Sequence, residues 1–284
     1  MLGQNVRDFT PAVKKVFARS QFVFVYQKND LATALGRLSI LEQKIFDYCT
    51  SFIEKSDDGK DIYVVSVFDM MKGLRLRNSG NNKVRVINAY IKLVKQSFMA
   101  WNVEENIFSP FNIFNFSHSG IDPSNEVMKF QFSKKIQPYL FFLKNRYYAY
   151  PRLVVNSLSS KYSVIALRLI SAADSESEKI VKLSGSIDEW ESWMGLKDSN
   201  EMNKYTASEF NRSVIKVFLA ELNKKFTHYH FSVKSIKQGR RVSGYKLIME
   251  KDSYVMNLKN PMSDEALAIQ NNGNVHKFKR GTVN

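Results

Sequence analysis

One order of predicted elements occurs twice in this chain, over residues 38–133 and again over residues 160–249. In both stretches the hydrophobic spacing predicts a helix, a short β-branched strand, a short helix, a long basic helix and a pair of strands. No sequence identity links the two stretches, so the repeat consists of element order and charge placement. This order is that of a helix-turn-helix followed by a β wing. We therefore expect an α+β fold, mainly helical, with two tandem winged-helix domains.

The first repeat begins with the helical segment LSILEQKIFDYCTSFIEK, where Ser39 and Glu42 have the spacing of a capping box. The strand IYVVSVF and the short helix DMMKGL follow. The segment KVRVINAYIKLVKQSFMAW is expected to be one helix. Its predicted buried stripe consists of Val84, Ile87, Ile91, Val94 and Phe98. Two strands are then predicted, around NIFSPFNIFNFS and EVMKFQFS, joined by the turn HSGIDPSN.

The second repeat contains the helix SKYSVIALRLISAA, the strand KIVKLS and the short helix SIDEWESWMG with a capping box at Ser186 and Glu189. The long helix YTASEFNRSVIKVFLAELNKKF begins with another capping box, Thr206 and Glu209. Its predicted buried stripe consists of Phe210, Val214, Val217, Phe218 and Leu222. A hairpin, THYHFSVK and VSGYKLIM, is expected to turn near Gly239.

These patterns divide the chain into four segments. Residues 1–30 are expected to form an N-terminal arm, residues 31–145 an N-terminal winged-helix domain, residues 146–250 a C-terminal winged-helix domain and residues 251–284 a polar tail. The apolar stretch between the two domains is expected to pack rather than act as a flexible linker.

The net charge of +15 is concentrated in two blocks. Residues 72–95 contribute +7 and residues 204–246 contribute +8, so the rest of the chain is balanced. Concentrated positive charge indicates a polyanionic partner such as nucleic acid. The absence of a long apolar run argues against a membrane partner. The single cysteine, Cys49, and the lack of a secretion signal favour a cytoplasmic location.

The second long helix is the strongest candidate for contact with the major groove. Arg212 could bind guanine with two hydrogen bonds, and Lys216 suits a phosphate. Glu209 could accept a hydrogen bond from cytosine or serve only its capping box, and both interpretations remain open. The predicted DNA-binding residues of this helix are Thr206, Glu209, Arg212, Ser213 and Lys216.

The two remaining sets of candidates are basic. Around the tip of the second hairpin they are Lys234, Lys237, Arg240 and Arg241. At the start of the first long helix they are Arg75, Arg77, Lys83 and Arg85, with base contact less clearly indicated. A basic wing would contact backbone or minor groove, which positions a protein without specifying sequence.

The tripeptide His228-Tyr229-His230 suggests an alternative, an HUH-type rolling-circle nickase with a metal between the imidazoles and a tyrosine nucleophile such as Tyr245 or Tyr254. Such a site needs a further ligand, and a tripeptide match is weak. There is no GxxxxGK[ST] loop, no GxGxxG and no CxxC pair. We therefore expect no cofactor, no metal and no catalytic residue. A plain winged-helix transcriptional repressor is the second alternative.

Three stretches resemble the initiator replication proteins of iteron plasmids, the Rep_3 or RepB-like family. VYQKNDLATALGRLSILEQKIFDY (25–48) is similar to the family's opening, with Asn-x-Leu and then Leu-Ser-x-x-Glu. KFQFSKKIQPYLFFLKNRYYAYPRLVVNSLSSKYSVIALRLI (129–170) is similar to its interdomain region. EFNRSVIKVFLAELNKK and IKQGRRVSGYKLIM, within 209–249, resemble its recognition helix and wing.

The resemblance implies a replication initiator that binds the direct repeats of an origin as double-stranded DNA and, as a homodimer formed through the N-terminal domain, binds an operator inverted repeat to repress its own gene. It also implies host replication partners such as a helicase and chaperones, in a bacterial cytoplasm. Carried over by position, the base-reading candidates are Glu209 and Arg212. Asn211 and Ser213 flank Arg212 where basic residues are common in the family, which leaves the repeat sequence open.

Overall fold

A computed structural model describes the chain in nine stretches. They are residues 13–15, 24–28, 31–54, 56–102, 107–141, 143, 147–174, 178–196 and 205–256. Two compact units emerge from the internal contacts, one from residues 1–19 with 41–145 and the other from residues 20–40 with 146–284. Most of the predicted arm and tail lies outside the described residues.

The helices follow the predicted order. They are α1 (Leu31–Ala34), α2 (Ile40–Thr50), α3 (Val67–Gly73), α4 (Gly80–Lys95), α5 (Arg152–Ser157), α6 (Lys161–Ala173), α7 (Ile187–Trp193), α8 (Ala207–Phe210), α9 (Lys216–Lys225) and α10 (Ser253–Met256). A π-helical turn, Asn211–Ile215, joins α8 to α9, and the three together are called the 207–225 helix.

The strands are β1 (Val13–Lys15), β2 (Phe24–Lys28), β3 (Ile62–Ser66), β4 (Ser97–Asn102), β5 (Ile107–Asn112), β6 (Gly120–Asp122), β7 (Val127–Phe130), β8 (Tyr147–Pro151), β9 (Ile180–Ser186), β10 (Tyr229–Gln238) and β11 (Arg241–Lys251). They form one sheet in the first unit with the order β1-β3-β7-β6 and one in the second with the order β10-β11-β9. Two separate antiparallel pairs, β2 with β8 and β4 with β5, complete the list.

In the first unit, β3 leads into α3, and α3 and α4 form the helix-turn-helix in front of the β6–β7 wing. Aromatic rings fill the core beneath the sheet. Tyr63 stacks on Phe130 with 5.1 Å between ring centroids, and Phe114 lies 5.6 Å from Phe130.

The strand pairing of the first unit differs in part from the prediction. The first half of the segment NIFSPFNIFNFS forms β5, which pairs with β4, whereas its second half pairs with the end of EVMKFQFS as predicted, through an antiparallel bridge between Phe114 and Phe132. The helix ends at Lys95 because Gln96 adopts an extended conformation, with φ −75° and ψ 128°. The residues after Gln96 therefore continue as β4, and Phe98 packs against Phe111 with 5.6 Å between ring centroids.

The buried face of α4 also differs from the prediction. Val84 is 56% exposed, and the buried residues are Val86, Ala89, Tyr90, Leu93 and Val94. Two apolar rows lie side by side on this helix, and the row with the aromatic residue faces the core. The hydroxyl of the fully buried Tyr90 donates to the carbonyl of Lys129 in β7, which fixes this choice of face.

The second unit surrounds one continuous apolar core. Residues of α5, α6, α7, the 207–225 helix and the three-stranded sheet contribute to it. Val25 and Ala32 belong to the same core, and β2 pairs with β8 of this unit. Residues 31–40, which the sequence assigned to the N-terminal domain, therefore pack with the second unit.

None of the helices in the described ranges is both long and apolar enough to cross a lipid bilayer. Cys49 is fully buried on α2, where it shares the core with its apolar helix neighbours.

Candidate nucleic-acid interface

A reciprocal capping box begins the 207–225 helix. The Thr206 hydroxyl accepts a hydrogen bond from the Glu209 amide at 3.3 Å, and Glu209 Oε2 accepts one from the Thr206 amide at 2.9 Å. Two backbone donors that a helix leaves without partners are thereby satisfied. These bonds from Thr206, together with the charge of Arg212, hold the pKa of Glu209 below its ordinary value. The carboxylate is therefore anionic at neutral pH, and it accepts its hydrogen bonds from Thr206 at the helix start.

The π-helical turn changes which residues of this helix face the core. The wider turn at Asn211–Ile215 contains one extra residue, so the residues that follow are rotated about the helix axis. Ile215 is consequently buried, at 3% exposure, while Val217 is 41% exposed. The expectation that Val217 belongs to the buried stripe was wrong, because it assumed an unbroken 3.6-residue period. Phe210, Val214, Phe218 and Leu222 are buried as predicted.

The outward face of the 207–225 helix is basic and exposed. Arg212 and Lys216 are exposed four residues apart, which places them one turn apart on the same side. Thr206 and Glu209 are exposed at the helix start, and Ser213 is half-exposed. The five candidates predicted on this helix are thus all accessible to solvent on or beside one face.

Packing and hydrogen bonds fix the helix against the sheet. The Trp190 indole of α7 donates to the Tyr245 carbonyl of β11 at 3.0 Å, and its ring lies parallel to that of Phe218 at 6.5 Å. The Asn223 side chain both donates to and accepts from the backbone of Phe231 in β10, at 2.8 Å each. The helix and the wing strand are therefore joined directly by side-chain hydrogen bonds to the backbone.

The wing is the β10–β11 hairpin, which turns through Gly239 and Arg240. Gly239 has a φ of +61°, which suits the first loop residue of a type II′ turn, a conformation that costs glycine little. The ladder shifts register between Ile236 and Lys237. The predicted contact residues of this wing are all exposed, namely Lys234, Lys237, Arg240 and Arg241.

In the first unit the corresponding helix is α4, which Ser79 caps through a hydrogen bond from the Asn82 amide. Arg75, in the turn before it, is exposed and has a left-handed φ of 58°. Arg77 is exposed and its carbonyl accepts a hydrogen bond from the Asn82 side chain at 3.0 Å. Arg85 donates to the Asn82 side-chain oxygen at 3.2 Å. A network of local hydrogen bonds thus orders the start of α4.

The wing of the first unit carries acidic residues. Asp122 lies at its tip and accepts hydrogen bonds from the amides of Ser124 and Asn125. Glu126, also in the wing loop, forms an ion pair with Lys83 of α4. This pair neutralises one of the predicted DNA-binding lysines. The acidic residues of this wing also distinguish it from the basic wing of the second unit.

Sequence reasoning missed part of the outer face of α4. Asn81, Val84 and Asn88 are exposed there beside Arg85. The missed signal is the second apolar row, Val86 with Tyr90 and Leu93, which has helical spacing of its own and leaves Val84 on the outside.

The two imidazoles of the nickase alternative lie in different surroundings. His228 pairs through Nδ1 with the Asp252 carboxylate at 2.8 Å, whereas His230 is exposed in β10 opposite Glu250. No group of three metal-binding side chains able to hold a metal ion occurs among the residues that the structure describes.

Of the two tyrosines proposed as nucleophile, the nearer in sequence to the histidine pair is poorly suited to that role. Tyr245 is 4% exposed, donates its hydroxyl to the Ala207 carbonyl at 3.0 Å and stacks on Phe210. Burial raises its pKa above the ordinary value, which disfavours the phenolate form that attacks a phosphodiester. Tyr254 lies outside the side chains that the structure describes.

A helix-turn-helix with an exposed basic helix and a β wing, present in both units, defines a tandem winged-helix protein of the DNA-binding class. Sequence comparison then gives the family. The model described as "Initiator Replication protein, WH1" matches residues 24–171, and the model described as "Initiator Rep protein, WH2" matches residues 186–249. The chain belongs to the family of initiator replication proteins, as its motifs predicted.

One solved structure supports the fold. The Pi initiator protein in complex with iteron DNA matches with a TM-score of 0.68 and 18% identity, over 83% of this chain and all of that one. Domains 2 and 3 of RctB match at 11% identity over 85% of this chain and 95% of that one, with a TM-score of 0.42 that is too low to support an argument. No curated protein sequence gives a significant match.

Proposed function

We propose that this protein initiates plasmid replication by binding repeated sites, iterons, in double-stranded origin DNA. The observation that carries the proposal is the exposed Arg212–Lys216 face beside a basic wing, in a chain of the initiator replication family. Arg212 would read guanine in the major groove, while Lys216 and the wing residues would contact phosphates. The structural likeness to an initiator solved with iteron DNA supports the same assignment.

The proposal extends to regulation and partners. A homodimer formed through the N-terminal unit would bind an inverted repeat at the operator and repress the gene. Monomers on the origin repeats would open the duplex together with host replication proteins. This work would take place in the bacterial cytoplasm, without catalysis by the chain itself.

A replication assay tests the proposal. One plasmid carries only the repeats from the DNA flanking the gene, and a second plasmid supplies the protein. We expect the repeat plasmid to be maintained with the wild-type chain and lost with Arg212→Ala. A matched control is Lys134→Ala, which removes an exposed lysine outside both the 72–95 and the 204–246 basic blocks and should leave maintenance intact.

Two results would overturn the proposal. Repression of the gene without any maintenance of the repeat plasmid would indicate a plain transcriptional repressor. A covalent protein–DNA adduct, formed on supercoiled origin DNA with Mg²⁺ or Mn²⁺, would indicate a nickase.

A further inference from the structure

Val84 occupies an unusual place for a valine. It is 56% exposed in the second turn of α4, on the side opposite the buried residues Val86 and Tyr90. Its exposed neighbours on that side are polar: Asn81 precedes it by three residues and Asn88 follows it by four. The surface therefore presents one exposed apolar side chain among amides and cations, with Ile87 and Ile91 of the same row half-buried behind it. Such a surface does not resemble the apolar centre of a protein–protein interface.

The charge around Val84 favours a nucleic acid as its partner. Residues 72–95 contain seven basic and no acidic residues. Lys83 is neutralised by Glu126, but Arg85, which adjoins Val84, remains exposed and is oriented by Asn82 at 3.2 Å. A cation held in this way can contact a phosphate at the groove edge while its neighbour approaches the base edges.

In the major groove an apolar side chain can recognise one group, the C5-methyl of thymine. We propose that α4 of the first unit reads a thymine of the bound site through the methyl groups of Val84. Four residues of helix rise about 6 Å, so Asn88 lies within about two base steps of Val84. Its amide has the donor and acceptor that bind adenine N7 and N6. This inference rests on the proposed function, because it requires sequence-specific binding to double-stranded DNA.

The experiment compares thymine with deoxyuridine, which differs only by the methyl group. The full chain first selects its preferred duplex from a random pool. Each thymine of that duplex is then replaced in turn by deoxyuridine, and Kd is measured for the wild type and for Val84→Ala. Loss of one buried methyl contact corresponds to about a fourfold loss of affinity.

We expect the wild type to lose about fourfold at one thymine and Val84→Ala to be indifferent to deoxyuridine at that same position. Val84→Thr, which keeps β-branching and one methyl, should fall between the two. A matched control is Phe116→Ala, which removes a 63% exposed apolar group of the same unit that lines a shallow pocket beside Tyr90 and Val94. It should retain the wild-type deoxyuridine profile.

The outcomes separate the two levels of inference. A selected sequence with identical deoxyuridine profiles for the wild type and Val84→Ala would overturn the role of Val84 and leave the proposed function standing. Failure of the full chain to select any sequence would overturn the proposed function and this inference with it.

Discussion

Glu209 and Thr206 hold each other at the start of the 207–225 helix. Glu209 Oε2 accepts hydrogen bonds from both the amide and the hydroxyl of Thr206, at 2.9 Å and 2.8 Å. These hydrogen bonds order the first turn of the helix. Arg212 lies in the next turn. The sequence left two roles open for Glu209, and the geometry establishes the capping role.

Removing this cap should weaken the second unit. We expect Thr206→Ala to lower the free energy of unfolding by about 1 kcal/mol, because it leaves the amide of Glu209 without its acceptor. Urea denaturation followed by circular dichroism measures the loss. Ser208→Ala, one exposed hydroxyl further along the helix, is the control and should change stability by less than about 0.5 kcal/mol.

The pH dependence of the unfolding free energy tests whether the Glu209 carboxylate contributes to this cap. The pKa of Glu209 is lowered from its ordinary value of 4.5 in the folded state, so the carboxylate contributes stability that is complete above that value. Protonation removes this contribution as the pH falls below 4.5. The difference between the wild type and Glu209→Gln should therefore shrink in acid, whereas Thr206→Ala keeps the backbone amide that donates to the carboxylate. A difference that stays constant down to pH 3 would mean that the carboxylate does not take part.

Arg212 should determine sequence as well as affinity. On the cognate duplex, Arg212→Ala should cost about 1–3 kcal/mol and relax specificity at one base pair. Arg212→Lys is the matched control, because it keeps the charge and loses the two-pronged donor geometry. It should retain affinity for random duplex and lose the preference at the same base pair. Equal losses on cognate and random DNA would contradict base reading by Arg212.

Lys237, at the bulge in the β wing, should contact phosphate. Lys237→Ala is expected to weaken cognate and random duplexes alike and to lower the slope of log K against log salt by about 0.9. Titrations across a series of salt concentrations give the slope. Lys134→Ala should leave it unchanged, and an unchanged slope for Lys237→Ala would remove this lysine from the interface.

The ion pair between Glu126 and Lys83 should restrain the first unit's affinity for DNA. Replacing Glu126 by Gln releases Lys83 and removes a negative charge from the wing, so binding to any duplex should tighten and the salt slope should steepen by up to about 0.9. Asp58→Asn is a matched control, since Asp58 pairs with Lys60 at 2.8 Å outside the helix-turn-helix. Weaker binding by Glu126→Gln would show that the pair orients Lys83 toward DNA instead.

The order of elements could be predicted from the sequence because its signals are local. Both capping boxes of the second unit, Ser186 with Glu189 and Thr206 with Glu209, are formed as their spacing predicted. Tyr229 and Phe231 turn to the core while His230 faces solvent, which is the alternation expected of any strand with one buried face. Such patterns depend on residues within one turn or one strand of each other.

The remaining features depend on contacts between distant residues. Two apolar rows compete on α4, and the choice between them is made by the bond from Tyr90 to Lys129, 39 residues away. The packing of Ala32 with the second unit likewise depends on residues more than a hundred positions later. Neither can be recognised from periodicity, which contains no information about the partner.

A last prediction follows from the π-helical turn. It distinguishes the observed set of buried residues from the set that a regular α-helix would bury. Ile215→Ala should cost about 2–5 kcal/mol of unfolding free energy, because it empties a site that is 3% exposed. Val217→Ala should change stability by less than about 0.5 kcal/mol, because Val217 is 41% exposed. Val214 and Phe218 are buried in either phase and cannot distinguish the two. Denaturation of the two variants side by side provides the measurement. The reverse order of costs would mean that the helix continues with an unbroken period through Asn211–Ile215 and that the face carrying Arg212 and Lys216 is rotated accordingly.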